Sequence, residues 1–575
     1  MNNKKLLKKI SKYIFKYKHT LFLSLFFTII YVVSTLTAPI IVGRAINLFV
    51  YSEYDKTKLL NYIYILIADI SLGFLMGFLM GFLLNKLTYK VIYDLRKDTF
   101  NKILNVEVRF LDSNPEGDLM QRIINDTDTV ADGLLQGFST AYSGIITIVM
   151  TIVLMMMMNW ILGLVVVILT PLSFFVAKFI TKHTFQSFKK QAEIKGDMMA
   201  HSNEMITYQK ICIAYQMQED NVCRYEEKDE KLYNAGYKAQ FFSSLTNPST
   251  RFVNNIVYAI VAITGCLMII KYPSDTFKVG QLTAFLTYAS QYTKPFNELA
   301  GVATELSNSF ASLKRIFELM DEKEMDVNNK SIGTLSGDIK ISNVKFGYNK
   351  DKVLINNLNL DIKRGMHIAI VGPTGCGKTT LINLLMRFYE VDEGSILYDS
   401  KNSKEYSKES LRDNIGMVLQ DTWVFKGSIM DNIMYAKKDA TKEEVIEACK
   451  RAYSHDFIIH MKDGYDTIIS NDDSISEGQK QLLCISRLML RNPNILILDE
   501  ATSSIDTRTE VLVGKAFNNL MEGHTTFIIA HRLSTIKNAD LILVMKDGDI
   551  IEKGNHESLI NEKGFYYTLY NSQFN

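Results

Sequence analysis

Long apolar runs alternate with charged stretches through the first half of the chain. Six runs match or approach the roughly 20 helical residues that a bilayer demands. They are 21–43, 60–84, 137–158, 161–180, 252–270 and 281–302. Little more than Asn159-Trp160 parts the third from the fourth, which predicts a tight hairpin; the sixth is the least apolar. The polar segments between runs keep a helical rhythm. Leu87, Val91 and Leu95 recur four apart beside Arg96, Lys97 and Asp98, so the second helix is expected to continue well past the membrane. The rhythm breaks at Asp112-Ser113-Asn114-Pro115-Glu116-Gly117, a strong turn signal. A second long polar segment covers 184–244. Together they predict two helical hairpins that reach toward a soluble domain and couple to it mechanically.

Beyond the polar stretch 321–337 the pattern changes. Short apolar strands alternate with helices, as in a parallel sheet covered on both faces. The expected fold is an all-α polytopic membrane domain, with about six transmembrane helices and long cytoplasmic extensions, followed by an α/β domain. The expected boundaries are a basic segment at 1–20, the membrane domain at 21–312, a linker at 313–337 and the α/β domain at 338–575.

Charge sets the orientation. Lys4, Lys5, Lys8, Lys9, Lys12, Lys16 and Lys18 precede the first run, so the N-terminus is expected in the cytoplasm. The C-terminal half follows it there, in a multi-pass protein of the plasma membrane. A net charge of +2 carries no general signal for polyanions, and the apolar runs argue against a soluble nucleic-acid partner. The cysteines Cys212, Cys223, Cys266, Cys376, Cys449 and Cys484 are scattered without a C-x-x-C pair, which supports neither a disulfide framework nor a zinc site. Three ionisable residues fall inside apolar runs. Asp69 is either a functional carboxylate or a capping contact near one end, and Lys294 with Glu298 form an i, i+4 pair. Met155 to Met158 read as soft packing.

The chemistry lies in the second half. Gly372-Pro373-Thr374-Gly375-Cys376-Gly377-Lys378-Thr379-Thr380 fits G-x-x-x-x-G-K-[ST]. Its glycines let backbone N–H groups turn inward onto phosphate oxygens. A helix starting at Lys378 points its positive end at the same anion. The Lys378 ammonium suits the β- and γ-phosphates, and the Thr379 hydroxyl suits Mg²⁺. A thiol reagent at Cys376 is expected to block the nucleotide. Two further apolar strands end at candidate chemistry: 495–498 before Asp499-Glu500, and 527–530 before His531. Asp499 is placed to hold Mg²⁺ through its shell, and Glu500 to orient and deprotonate the attacking water. Ligands of such sheets sit at the strands' carboxyl ends, so these groups should converge.

Ile475-Ser476-Glu477-Gly478-Gln479 resembles the ATP-binding cassette signature, usually Leu-Ser-Gly-Gly-Gln, and it lies shortly before Asp499-Glu500 as in that family. Gln420 resembles the family's glutamine loop, Ser503-Ser504-Ile505-Asp506 its D-loop and His531 its switch histidine. Tyr348 stands where the family stacks an aromatic ring on adenine, and 110–119 is similar to the first intracellular loop of its exporters. The resemblance covers nearly the whole chain. It implies ATP and Mg²⁺ as ligands, with Thr379, Gln420 and Asp499 toward the metal. It also implies two cassettes that sandwich two ATP molecules head to tail, each site taking Ser476, Gly478 and Gln479, or their counterparts, from the other subunit. One chain is then half of a transporter embedded in membrane lipid.

Glu477 departs from the family pattern and puts a carboxylate where it would repel the partner's γ-phosphate or turn away. Acidic residues Asp472 and Asp473 precede it, while the phosphate loop, Glu500 and His531 are intact. That combination resembles the hydrolytically intact subunit of heterodimeric bacterial multidrug exporters. The expected function is outward transport driven by ATP hydrolysis, with drugs, lipids, peptides and metabolites all open as cargo. The alternatives are a homodimeric lipid or peptide exporter and a non-transporting ATP-gated regulator; intact Glu500 and His531 speak against the last.

Overall fold

The computed structural model describes residues 3–51, 55–271, 277–325, 333–348, 353–419, 422–469, 475–499, 505–529 and 536–574. The chain divides into two units. One comprises Met1–Leu104 and Pro115–Glu322, the other Asn105–Asn114 and Lys323–Asn575. A short piece of the membrane half thus belongs to the unit of the α/β domain.

The first unit is helical. After α1 (Asn3–Phe15) come α2 (Lys18–Val50) and α3 (Lys56–Asn105), then α4 (Val108–Ser113) and α5 (Glu116–Ile123). α6 (Asn125–Met158) and α7 (Trp160–Thr207) follow, then α8 (Gln209–Ala214), α9 (Gln218–Lys271) and α10 (Val279–Met320). Each of the six apolar runs lies inside one helix. Among the described residues α2, α3, the stretch Glu116–Met158 and α9 are long and apolar enough to cross a membrane, and a shorter apolar segment, Trp160–Thr170, opens α7. Polar Thr283, Thr287, Gln291 and Lys294 dilute the apolar character of α10. At 1.5 Å per residue the 54 residues of α9 extend about 80 Å, far beyond the hydrocarbon core.

Asn159 is the hinge of the α6–α7 hairpin: its side chain accepts from the N–H groups of Ile161 and Leu162, both at 3.1 Å. α1 is amphipathic. Its Leu6 and Ile10 are buried with Leu87, Val91, Leu95 and Phe317, while Lys16 pairs with Asp94 at 2.6 Å and Lys9 with Asp321. The extensions of α6 and α10 are joined by Asp126, which is 2 % exposed. Its carboxylate accepts from Arg315 Nε at 2.8 Å and Ser312 Oγ at 3.0 Å. Asp69 is accounted for by α2: both carboxylate oxygens lie 2.9 Å from the Thr37 hydroxyl, and Ser34 Oγ donates to the Asp69 carbonyl at 2.6 Å. Lys294 Nζ lies 3.9 Å from Glu298.

In the second unit a six-stranded sheet runs in the order Asp549–Gly554, Leu541–Lys546, His367–Val371, Thr525–Ile529, Ile495–Asp499, Ile415–Val418. Only the first pair is antiparallel; the remaining four pairings are parallel. The parallel strands are almost wholly buried, and their apolar stretches, such as Ile368 to Val371, Ile495 to Leu498 and Phe527 to Ile529, are what a sheet covered on both faces requires. An antiparallel sheet with Ile339–Phe346 beside Ile355–Ile362 and Glu393–Tyr398 shares their core.

Candidate functional site

The sheet order positions the site. The strand before the phosphate loop lies beside Thr525–Ile529, which lies beside Ile495–Asp499, which lies beside Ile415–Val418. Ile529 is level with Ile370 on one side and with Asp499 on the other. Parallel strands present their carboxyl ends together, so the chain leaves four adjacent strands at one edge. Glu500 follows directly on Asp499, Gln420 comes two residues after Val418, and His531 two after Ile529. Gln420, Glu500 and His531, with Ser503 and Ser504, lie outside the described residues; Asp499 is inside them.

The loop itself is explicit. Gly377 caps the helix Lys378–Leu385 with a φ of +105°, a conformation that a side chain at this position would strain. Pro373, Thr374, Gly375 and Thr379 are exposed, and Gly372 begins the turn. The Lys378 ammonium rests on the loop's own carbonyls, 2.8 Å from Gly372 O and 3.0 Å from Pro373 O. Such a seat preforms the cradle, and phosphate oxygens can take the place of those carbonyls. Thr380 is buried and accepts from the Tyr348 hydroxyl at 3.3 Å, while Asn383 Nδ2 donates to the same hydroxyl at 3.1 Å. Tyr348 is thereby fixed beside the phosphate loop with 38 % of its surface open, and its ring stands edge-on to Tyr389 at 5.0 Å.

Cys376 is buried, which adds a condition to the expected effect of a thiol reagent. Its side chain is 3 % exposed beneath the loop, so a thiol reagent reaches it only when the loop opens.

The signature forms a helix start. Ser476 caps the helix Glu477–Arg491 and exchanges a capping box with Gln479, through Gln479 N to Ser476 Oγ at 3.3 Å and Ser476 N to Gln479 Oε1 at 3.0 Å. Gly478 is demanded by close approach: a Cβ there would fall 2.4 Å from Thr509 Cγ2. Asp506, from the D-loop segment, caps the helix Thr507–Met521 by accepting from Thr509 N at 3.0 Å. That backbone bond holds the Asp506 carboxyl below its usual range.

Glu477 takes the turned-away option. One carboxylate oxygen lies 2.8 Å from Lys480 Nζ and the other accepts from the Thr422 hydroxyl at 3.2 Å. Lys480 is 4 % exposed, so the acid is matched by a nearly buried cation one helical turn on. The i, i+3 spacing of Glu477 and Lys480 was the available signal for this pair. No comparable signal marked Tyr389, whose hydroxyl donates to the Asp112 carboxylate with Arg109 6.0 Å above its ring. Val108 packs on the same core, and Met325 N donates to Asn105 O at 2.9 Å. These contacts place 105–114 with the α/β unit. Burial first, and then the Asp112 hydrogen bond, push the Tyr389 phenol above its ordinary range.

No cluster of three His, Cys, Asp or Glu residues suited to a metal exists among the described residues. The side chains present, exposed Thr379 and strand-end Asp499, instead fit a Mg²⁺ that takes most of its shell from phosphate and water.

Comparison with known proteins agrees with this arrangement. The family described as ABC transporter transmembrane region matches residues 21–296, and that described as ABC transporter matches 355–503. An uncharacterized ABC transporter ATP-binding protein, YfiC of Bacillus subtilis (strain 168), is 36 % identical over 572 residues, 99 % of this chain and 94 % of that one. A fatty acid ABC transporter ATP-binding/permease protein of Mycobacterium tuberculosis (strain CDC 1551 / Oshkosh) is 39 % identical over 477 residues, 83 % of this chain and 75 % of that one. A solved structure of a bacterial Atm1-family ABC exporter with ATP bound superposes with a TM-score of 0.81 at 26 % identity, over 97 % of this chain and 98 % of that one. With a phosphate loop, a signature helix and a membrane-spanning helical domain on one polypeptide, the chain belongs to the ABC transporters, as an exporter-type half-transporter with fused transmembrane and ATP-binding domains.

Proposed function

We propose that this ATP-driven exporter moves a lipophilic cargo outward across the plasma membrane, with both termini in the cytoplasm and a second half-transporter as partner. In the cassette, the backbone N–H groups of 374–380 and the Lys378 ammonium hold the phosphates and Tyr348 lies along the adenine. Thr379, Asp499 and Gln420 would hold Mg²⁺, which when bound would offset the charge of the phosphates. Glu500 orients and deprotonates the water, and His531 senses the γ-phosphate. Ser476, Gly478 and Gln479, at a helix start, meet the partner's ATP. ATP drives the cycle only through tighter binding to the closed pair.

The observation that carries this reading is the edge of four adjacent parallel strands, from which the phosphate loop, Gln420, Asp499-Glu500 and His531 all follow. Vesicles reconstituted with the protein and its partner should show vanadate-sensitive, ATP-dependent export, and Glu500→Gln should bind ATP yet stop turnover. Continued turnover in that variant would overturn the assignment of Glu500.

The altered signature favours a partner that is a different chain, whose regular signature completes the site built on Glu500. One observation favours the second reading, a homodimer: Lys480 and Thr422 already hold Glu477, which lowers its cost at the interface. ATPase assay of the chain purified alone separates the two. Strong transport-coupled activity without a second chain selects the homodimer; activity that appears only on co-expression selects the heterodimer.

A further inference from the structure

Two cavities in the membrane unit share a wall. The first, of about 540 Å³, lies among α2, α3 and α10, with Tyr31, Pro39, Val42, Leu66, Ile70 and Phe74 in its lining. The second, of about 270 Å³, lies between α9 and α10 and is lined by Arg251, Asn254, Tyr258, Gln291 and Lys294 among others. Gln291 lines both, and its Nε2 reaches Thr35 O, on the apolar side, at 3.5 Å. One cavity is greasy and the other cationic, and one side chain separates them.

The polar cavity has unmet needs. Asn254 Oδ1 and Gln291 Oε1 are buried without a hydrogen-bond partner. Whichever way the two amides are turned, each offers a polar atom that a ligand can satisfy. Such atoms are costly to leave unmatched. Arg251 has no ion-pair partner among the described residues, and Lys294 has Glu298 at 3.9 Å. The nearby charges are therefore two cations and one anion. Both cations are exposed, Lys294 with 76 % of its side chain open, so a headgroup at the polar cavity can reach them.

The geometry points to an anionic amphiphile as ligand: an acidic headgroup bearing hydroxyl donors between Arg251 and Lys294, and an acyl chain passing Gln291 into the apolar cavity. A purely apolar drug would leave the two amides and Arg251 unmatched, and a small polar solute would leave the larger cavity empty. The inference rests on the reading of a lipophilic cargo and narrows it to a charge class.

The test separates the site from the pump by measuring binding without nucleotide. Palmitoyl lysophosphatidylglycerol and its zwitterionic counterpart, palmitoyl lysophosphatidylcholine, are titrated against the full chain in nanodiscs, with native mass spectrometry as the readout. The anionic lipid should bind about tenfold tighter, the scale of one charge-assisted contact. Arg251→Gln and Lys294→Gln should each erase that preference, while Arg251→Lys and Lys294→Arg keep it and so report on folding. Glu298→Gln should strengthen anionic binding, which a purely structural role for the pair would not do. Ala38→Trp, filling the apolar cavity, should weaken the palmitoyl lipid and spare a hexanoyl one. Equal binding of the two lipids, or an unchanged preference in both neutralised variants, overturns the proposal. So does a partner subunit that cross-links to a cysteine placed at Ser290 and excludes the lipid, because the cavity is then an interface. Binding as expected without ATP-driven export would leave the site standing and count against the transport reading alone.

Discussion

Tyr389→Phe deletes one oxygen from the seat that 105–114 occupies on the cassette. Tyr389 is 6 % exposed, and its ring keeps its edge contacts with Phe346 at 5.6 Å and Tyr348 at 5.0 Å after the change. Only the hydrogen bond to Asp112 is lost. A hydrogen bond to a charged group contributes roughly 1.5–3 kcal/mol. Asp112 is exposed and regains water, so the lower end applies: about 1.5 kcal/mol, or roughly tenfold in the opening of this segment. The phenol's raised pKa sets the pH behaviour. A group raised in the folded state contributes fully below its unfolded value of about 10 and is lost only as pH climbs through the folded one. The effect should therefore be flat through the neutral range. Hydrogen exchange reads it directly. Amides of 105–114 should exchange close to tenfold faster in Tyr389→Phe, while those of the central sheet stay unchanged. Asp112→Asn should act similarly, and the double variant should be no worse than either single one. Unchanged exchange in Tyr389→Phe, or fully additive effects in the double variant, would refute the reasoning.

Three further outcomes follow from named contacts. Gly478→Ala forces a Cβ to 2.4 Å from Thr509 Cγ2 and should cost about 1–3 kcal/mol by overpacking, seen as a lower cassette melting temperature; Thr509→Ser, which removes that methyl, should restore only part of it, because Ile505 Cγ2 still stands 2.9 Å from the added Cβ. Arg315→Met leaves Asp126 buried without its guanidinium. Because the Arg315 side chain is 42 % exposed and the pair is partly screened, the loss should be about 2–3 kcal/mol, and an added Asp126→Asn should recover part of it in a thermal-shift assay. Cys376, 3 % exposed, should react with maleimide far more slowly in the folded protein than in denaturant, and ATP should slow it further; equal rates would show the loop to be open.

Much of the fold was legible because its signals are local. The apolar runs that put six stretches inside helices need only length and composition, and the rhythm of Leu87, Val91 and Leu95 shows α3 continuing through them into buried core. The phosphate loop and the strand before it were legible because glycine, lysine and threonine at fixed spacing have one chemical use. The burial of Cys376 was not legible, because its place in the motif says nothing of the direction of its side chain. That direction is set by packing under the loop, not by neighbours in sequence. For Glu477 the charge was visible and its partner was not: the sequence posed a repulsion, and the helix turn that brings Lys480 beside it supplies the counter-ion.

The sequence by itself determined the two-part architecture, the nucleotide motif and the membership in a family that works in pairs. All of these depend on periodicity and on residues within a few positions of one another. Only the tertiary structure decided the rest. Tyr389 and Asp112 stand 277 positions apart, and Asp126 meets Arg315 across 189. Gln291 joins two cavities whose walls come from four helices, α2, α3, α9 and α10. The physical reason is the same in each case. A helix or a phosphate loop is specified by near neighbours, whereas a counter-ion, a docking seat or a cavity exists only once distant segments have packed and excluded water from between them.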